Sequence, residues 1–170
     1  MELSETQFDL DRDAFMRTLI SHLADTLEDV VGLPQAAGFI SLVGQKMGND
    51  LNDGYRAALQ ADRLSPDQLA KVLVDLKQRI MGDFYIIEQD DKKIVFGNRS
   101  CPFGDRVIGR PAMCMMTSNV FGVIAAENLG YGRIELEETI AMGSPGCKVN
   151  LYLETTDEPL AQNVREYFQS

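Results

Sequence analysis

Tryptophan is absent from the 170 residues and histidine occurs once, as His22. A single imidazole excludes multi-histidine metal centres, and no motif places a nucleophile beside it. Basic residues are scarce: 16 Lys plus Arg face 26 Asp plus Glu, a net charge of −10. Phosphate binding needs a basic face, so direct nucleic-acid contact is not expected. Long apolar runs are missing too. The least charged stretch, Pro111 to Ala126, contains Thr117, Ser118, Asn119 and Gly122. It falls short of the ~20 apolar residues of a spanning helix, so no membrane association is expected. The opening MELSETQFDLDRDAF has neither the basic nor the apolar region of a secretory signal. Cysteine is limited to three, an odd number, which predicts a reducing, cytoplasmic setting with thiols free or metal-bound.

What is present suffices for a core. Hydrophobic residues make up 45% of the chain, and its length suits one domain over residues 1–170. Residues 11–81 read as a helical half. Phe15, Leu19, Leu23, Leu27 and Val30 recur at helical spacing until Gly32 and Pro34. Phe39, Leu42, Val43, Met47, Leu51 and Tyr55 mark a second helix. Its interruptions at Gly44, Gly48 and Gly54 suit close helix–helix approach. Ser65 and Pro66 open a third, with Leu69, Val72, Leu73, Leu76 and Ile80 on its apolar side.

Residues 83–154 change period. Phe84–Glu88 and Lys93–Gly97 read as strands joined across Asp90–Asp91. Pro111 opens a helix that is apolar almost all round, hence buried and central. Ile134 and Leu136, then Cys147, Val149 and Leu151, alternate as two further strands. Residues 159–168 read as a C-terminal helix. The predicted class is α+β: three N-terminal helices, then two hairpin-like strand pairs around a buried central helix, in the order αααββαββα.

Cys101, Cys114 and Cys147 are the candidate site. Cys101 opens the turn Cys101-Pro102-Phe103-Gly104, and Cys147 opens a strand on the face of Val149 and Leu151. Cys114 falls in the first turn of the central helix, where free backbone N–H groups favour thiolate. Three thiolates select zinc, Cu(I) or an iron–sulfur cluster over hard cations. Gaps of 12 and 32 residues match no short zinc signature, so three core cysteines remain the alternative. No fourth ligand is evident; Asp105, Glu138 and Thr139 lie in neighbouring segments. Met113, Met115 and Met116 suit a core or an adaptable pocket. The Glu135, Glu137 and Glu138 cluster reads as a solvated strand, and Gly130-Tyr131-Gly132 lacks the setting of a phosphate loop.

Several of these residues carry a resemblance. Cys101-Pro102-Phe103-Gly104, Pro111-Ala112-Met113-Cys114, Gly122 and the run from Glu137 to Cys147 resemble the methanogen output domain family, itself similar to 4-vinyl reductase domains. Gly38-Phe39, Gly44-Gln45 and Gly48 resemble that family's glycine-marked second helix. The resemblance implies a sensory or regulatory input module of a prokaryotic signalling protein, joined to a kinase, phosphatase or DNA-binding effector. It further implies pairing through the N-terminal helices as a homodimer, and room for a small apolar ligand. Cys101, Cys114 and Cys147 match metal- or cluster-linked cysteines, implying zinc or an iron–sulfur cluster. The 12-residue gap before Cys114 is also similar to that of cyanobacterial iron–sulfur-sensing repressors. Thr139 and Asn128 stand where related proteins place a further thiol. The expected function is therefore a non-enzymatic sensor acting through a cysteine-bearing pocket. The alternatives are a reductase or hydrolase on a small hydrophobic compound, or a structural dimerisation adaptor.

Overall fold

A computed structural model describes residues 10–170. The opening stretch read for a secretory signal lies largely outside the described residues. Helix α1 (Arg12–Val31) begins where the Asp11 carboxylate accepts the Ala14 N–H at 2.7 Å, and it ends at Gly32, whose φ of +83° lets the chain turn. Helix α2 (Leu33–Leu59) follows at once with Pro34 in its first turn. Helix α3 (Pro66–Arg79) opens with a reciprocal capping box between Ser65 and Gln68. Helix α4 (Cys114–Leu129) is preceded by a 3-10 turn over Pro111–Met113, so the helix proper starts three residues later than its proline suggests. Among the described residues, no helix is long and apolar enough to cross a membrane.

Five strands form one antiparallel sheet: β1 (Phe84–Gln89), β2 (Lys93–Asn98), β3 (Tyr131–Glu138), β4 (Cys147–Tyr152) and β5 (Val164–Phe168), in the order β1-β2-β4-β3-β5. The β1–β2 hairpin closes where the Asp90 carboxylate accepts the N–H groups of Lys92 and Lys93 at 2.8 Å each. The architecture is the expected α+β plan, with helices leading and strands following. The C-terminal helix expected over residues 159–168 is not there. Val164–Phe168 is instead a strand, paired along β3 from Val164↔Glu135 to Phe168↔Tyr131. An open edge of β3 offers these residues backbone partners, and that long-range pairing overrides a weak local helical pattern.

The helices cover one face of the sheet. Ile94, Phe96, Ile134, Val149 and Leu151 cluster there with Leu69 and Leu73 of α3 and Ile124 of α4. Phe121 of α4 meets Phe84 and Phe96 edge-on, with ring centroids 5.6 and 5.4 Å apart. The other face is polar: Asn150 donates to Glu135 and Glu137, Lys148 pairs with Glu137, and Tyr152 donates to Glu135. The acidic cluster is thus bound up in the wet side of the sheet.

Two of the three glycines expected to bring helices together do so. A β-carbon at Gly44 would stand 2.9 Å from Asn119, and one at Gly48 would stand 2.9 Å from Val123. Both contacts seat α2 on α4, whereas Gly54 faces open space. This close seating uses the narrow stripe Ala36, Ile40, Gly44, Gly48 and Asn52. The large apolar side chains of α1 and α2 consequently point outward. Phe15, Leu19, Leu23, Phe39, Leu42 and Val43 are all exposed.

Candidate functional site: a thiol-lined cavity

Cys101, Cys114 and Cys147 come from three separate elements and line one cavity of about 40 Å3. Phe84, Asn98, Phe103, Met113, Thr117, Leu136, Thr139 and Val149 complete most of its wall. Cys101 sits in the loop after β2, Cys114 is the first residue of α4, and Cys147 is the first residue of β4. All three are free thiols, half-buried. Cys101 and Cys114 also belong to a small apolar cluster with Val107, Met113 and Ala141, which takes in Ile20 and Ala24 of α1. The cavity is therefore joined to both the sheet and the first helix.

The Cys147 sulfur receives two hydrogen bonds. The Ile140 N–H reaches Cys147 Sγ at 3.4 Å, and Asn98 Nδ2 reaches it at 3.7 Å. Donors aimed at sulfur favour the thiolate, and metal-bound sulfurs use such partners. Burial works in the opposite sense. It raises the Cys101 thiol and pushes Cys114 up to about 12, with the neighbouring thiols adding to the shift. The expectation that a helix start would hold Cys114 as thiolate is corrected here. Desolvation outweighs the first-turn N–H groups, and the resting thiol stays protonated.

Lys77 was not legible as a site residue, yet it reaches a residue of the cavity wall, Thr117. It lies four residues after Leu73 and eight after Leu69, on the buried side of α3. Its ammonium donates to Thr117 Oγ1 at 2.7 Å and stands 5.5 Å from the ring centroids of both Phe84 and Phe121. Burial lowers it to about 8, partly offset by the three thiols. A lysine at helical spacing on an otherwise apolar face was the available signal.

Other candidates separate from the cavity. Among the described residues, no group of three His, Cys, Asp or Glu side chains is arranged to hold a metal ion. The thiols share a wall without forming a preassembled site. Thr139 lines the cavity, but Asn128 does not. Its side chain accepts the Leu64 N–H and donates to Asn52 Oδ1 and the Ile124 carbonyl, fixing the α3 entry to α4. Asp105 and His22 are exposed, and Glu138 lines a different space. That space is an open groove of about 880 Å3 between the start of α2, the start of α4, the end of β3 and residues 160–165. Cys114, Leu136 and Thr139 belong to both walls.

A family model, methanogen output domain 1, matches residues 16–152, which includes all three cysteines and Lys77. The chain belongs to the methanogen output domain 1 family. The match runs from within α1 to the end of β4, so β5 lies beyond it. Membership makes this an output-type signalling domain. No curated protein matches the chain.

Proposed function

We propose that this methanogen output domain is a signalling module whose state is set at the thiol cavity by a soft metal ion. The observation that carries the reading is the convergence of three sulfurs, from three separate segments, in the wall of one small cavity. Size supports it. A cavity of about 40 Å3 has room for an ion or a few waters, against ~300 Å3 or more for an organic ligand. Donor chemistry supports it as well, because thiolates select soft cations such as zinc or Cu(I). Cys101, Cys114 and Cys147 would hold the ion, which when bound supplies a link between their three segments.

The rest follows from the chain's own residues. Cys114 opens α4, and α4 seats α2 through Gly44 and Gly48. A signal requires two states with different affinity for the effector. Thiols that share a wall without being preassembled leave room for such a difference between resting and occupied states. The outward apolar row on α1 and α2 then offers the output face, which we assign to a second copy of the chain and, through it, to an effector domain.

A second reading has its own observation. The groove beside Cys114 has a volume within the ~300–1,000 Å3 range of ligand sites, and its wall is mostly apolar. A small apolar effector there would press on the same residues, Cys114 and Thr139.

Anaerobic titration of the reduced, full chain with Cd2+ separates these readings. We expect about one equivalent bound with a sulfur-to-cadmium absorption band, and loss of that band in Cys114→Ser. A chain that takes up no soft metal with its thiols reduced would overturn the first reading.

A further inference from the structure

The open groove beside Cys114 is bordered by charges of opposite sign, set on opposite sides of the sheet. Arg165 of β5 lines it and stands in register with Ile134, a core residue of the helix-covered face. The hydrogen bonds of Arg165 use Nη1, which donates to the Gln162 and Val164 carbonyls at 2.9 and 2.7 Å. Among the described residues, none of the ion pairs involves it. The two carboxylates of the groove wall belong to the polar side. The β3 bulge between Leu136 and Glu138 sets Glu138 opposite Lys148, while Glu137 pairs with Lys148 and accepts from Asn150. The first turns of α2 and α4, which form two more walls, hold no acidic side chain. Leu33, Ala37, Ala112, Met115 and Leu160 supply apolar wall. A guest here meets hydrocarbon and one cation without a carboxylate partner.

We propose that the groove binds an amphipathic anion, a medium-chain carboxylate whose head group bonds Arg165 and whose tail lies along the starts of α2 and α4. The inference rests on the reading of the groove as an effector site and deepens it by fixing the ligand class. Nε and Nη2 of an arginine offer a carboxylate two parallel N–H bonds, a geometry that an alcohol cannot match. Each buried CH2 adds affinity, so the tail supplies strength and the arginine chooses the head group. At about 880 Å3 the groove has room for such a chain. The net charge of −10 repels anions in general, so uptake of one reports a local site and not the surface at large.

The test is isothermal titration of the full reduced chain with decanoate and decanol, in wild type, Arg165→Met and Ala37→Trp. Wild type is expected to bind about one equivalent of decanoate, and decanol at least about tenfold more weakly, the size of one hydrogen bond to a charged group. Arg165→Met should weaken decanoate by a similar factor and leave decanol within about threefold. Ala37→Trp, which fills the groove from α2, should weaken both probes. Decanol binding as tightly as decanoate in wild type overturns the inference and leaves the groove reading standing. Unchanged decanoate affinity in Arg165→Met does the same, and so does equal loss of both probes there, since the position would then matter by shape. Decanoate binding that survives Ala37→Trp places the anion elsewhere and also overturns it. Wild type binding neither probe removes the groove reading, and this inference with it.

Discussion

Tyr167 of β5 lies so close over Gly122 of α4 that a β-carbon at position 122 would stand 2.0 Å from ring atom Cδ2. The Tyr167 hydroxyl and Ser118 Oγ complete the contact at 2.9 Å. The absent side chain of Gly122 is thus what allows the last strand to dock on the central helix. Gly122→Ala is expected to cost ~1–3 kcal/mol, because the ring cannot give way without moving β5. Urea unfolding measures it, and an unchanged midpoint would mean that β5 is not held against α4.

Asp25 of α1 and Arg110 form a two-point ion pair, with Nε and Nη2 of the arginine at 2.5 and 2.8 Å from the carboxylate oxygens. It ties α1 to the turn that leads into Cys114. The Arg110 hydrogen bond lowers the Asp25 carboxyl below its usual range, with burial opposing. The unfolded chain therefore binds the proton more readily, and the pair's stabilisation, present near neutrality, is lost as pH falls below ~4. Both side chains are about one-third exposed, so ~0.5–1 kcal/mol is the expected size. Arg110→Met should remove that contribution at pH 7 and flatten this part of the acid limb in a pH series of thermal melts.

In the metal-free chain, Lys77→Met should raise stability at pH 7 by ~1–3 kcal/mol, since a buried, unbalanced cation gives way to an apolar side chain of similar length. The folded value of about 8 lies below the ordinary 10.5. The penalty is therefore constant below pH ~8 and fades as pH rises toward ~10.5. Cys114, pushed up to about 12, acts the other way. Above pH ~9 the unfolded thiol ionises while the folded one does not, and stability falls. Wild type should show a maximum near pH ~9 in chelator-treated urea unfolding, with no rise toward it in Lys77→Met.

Leu23→Glu combined with Phe39→Glu, both on exposed helix faces, should convert a dimer to a monomer in light scattering. Helical content should stay unchanged, because neither side chain is part of the core. A monomeric wild type would remove the assignment of this face to a second copy.

Much of the plan is legible where the signal is local. Asp11, the Ser65–Gln68 box and the Asp90 turn each mark an end that needs only its own neighbours. The misses share a different origin. Val164, Tyr167 and Phe168 become a strand because β3 has a free edge, which no window of residues 159–168 contains. The apolar rows of α1 and α2 fix a periodicity but do not say which face is covered, and small residues took the inner place. At Cys114, position in the helix is readable and burial is not, and burial decides its protonation. The meeting of Cys101, Cys114 and Cys147 was plausible from their places at element starts, whereas Lys77 needed the helix drawn as a wheel.

Cys114, Leu136 and Thr139 form a partition with the groove on one side and the sulfur chamber on the other. Under the proposed function, a guest in either space would press on the same three side chains, so occupancy on one side would bear on the room left on the other.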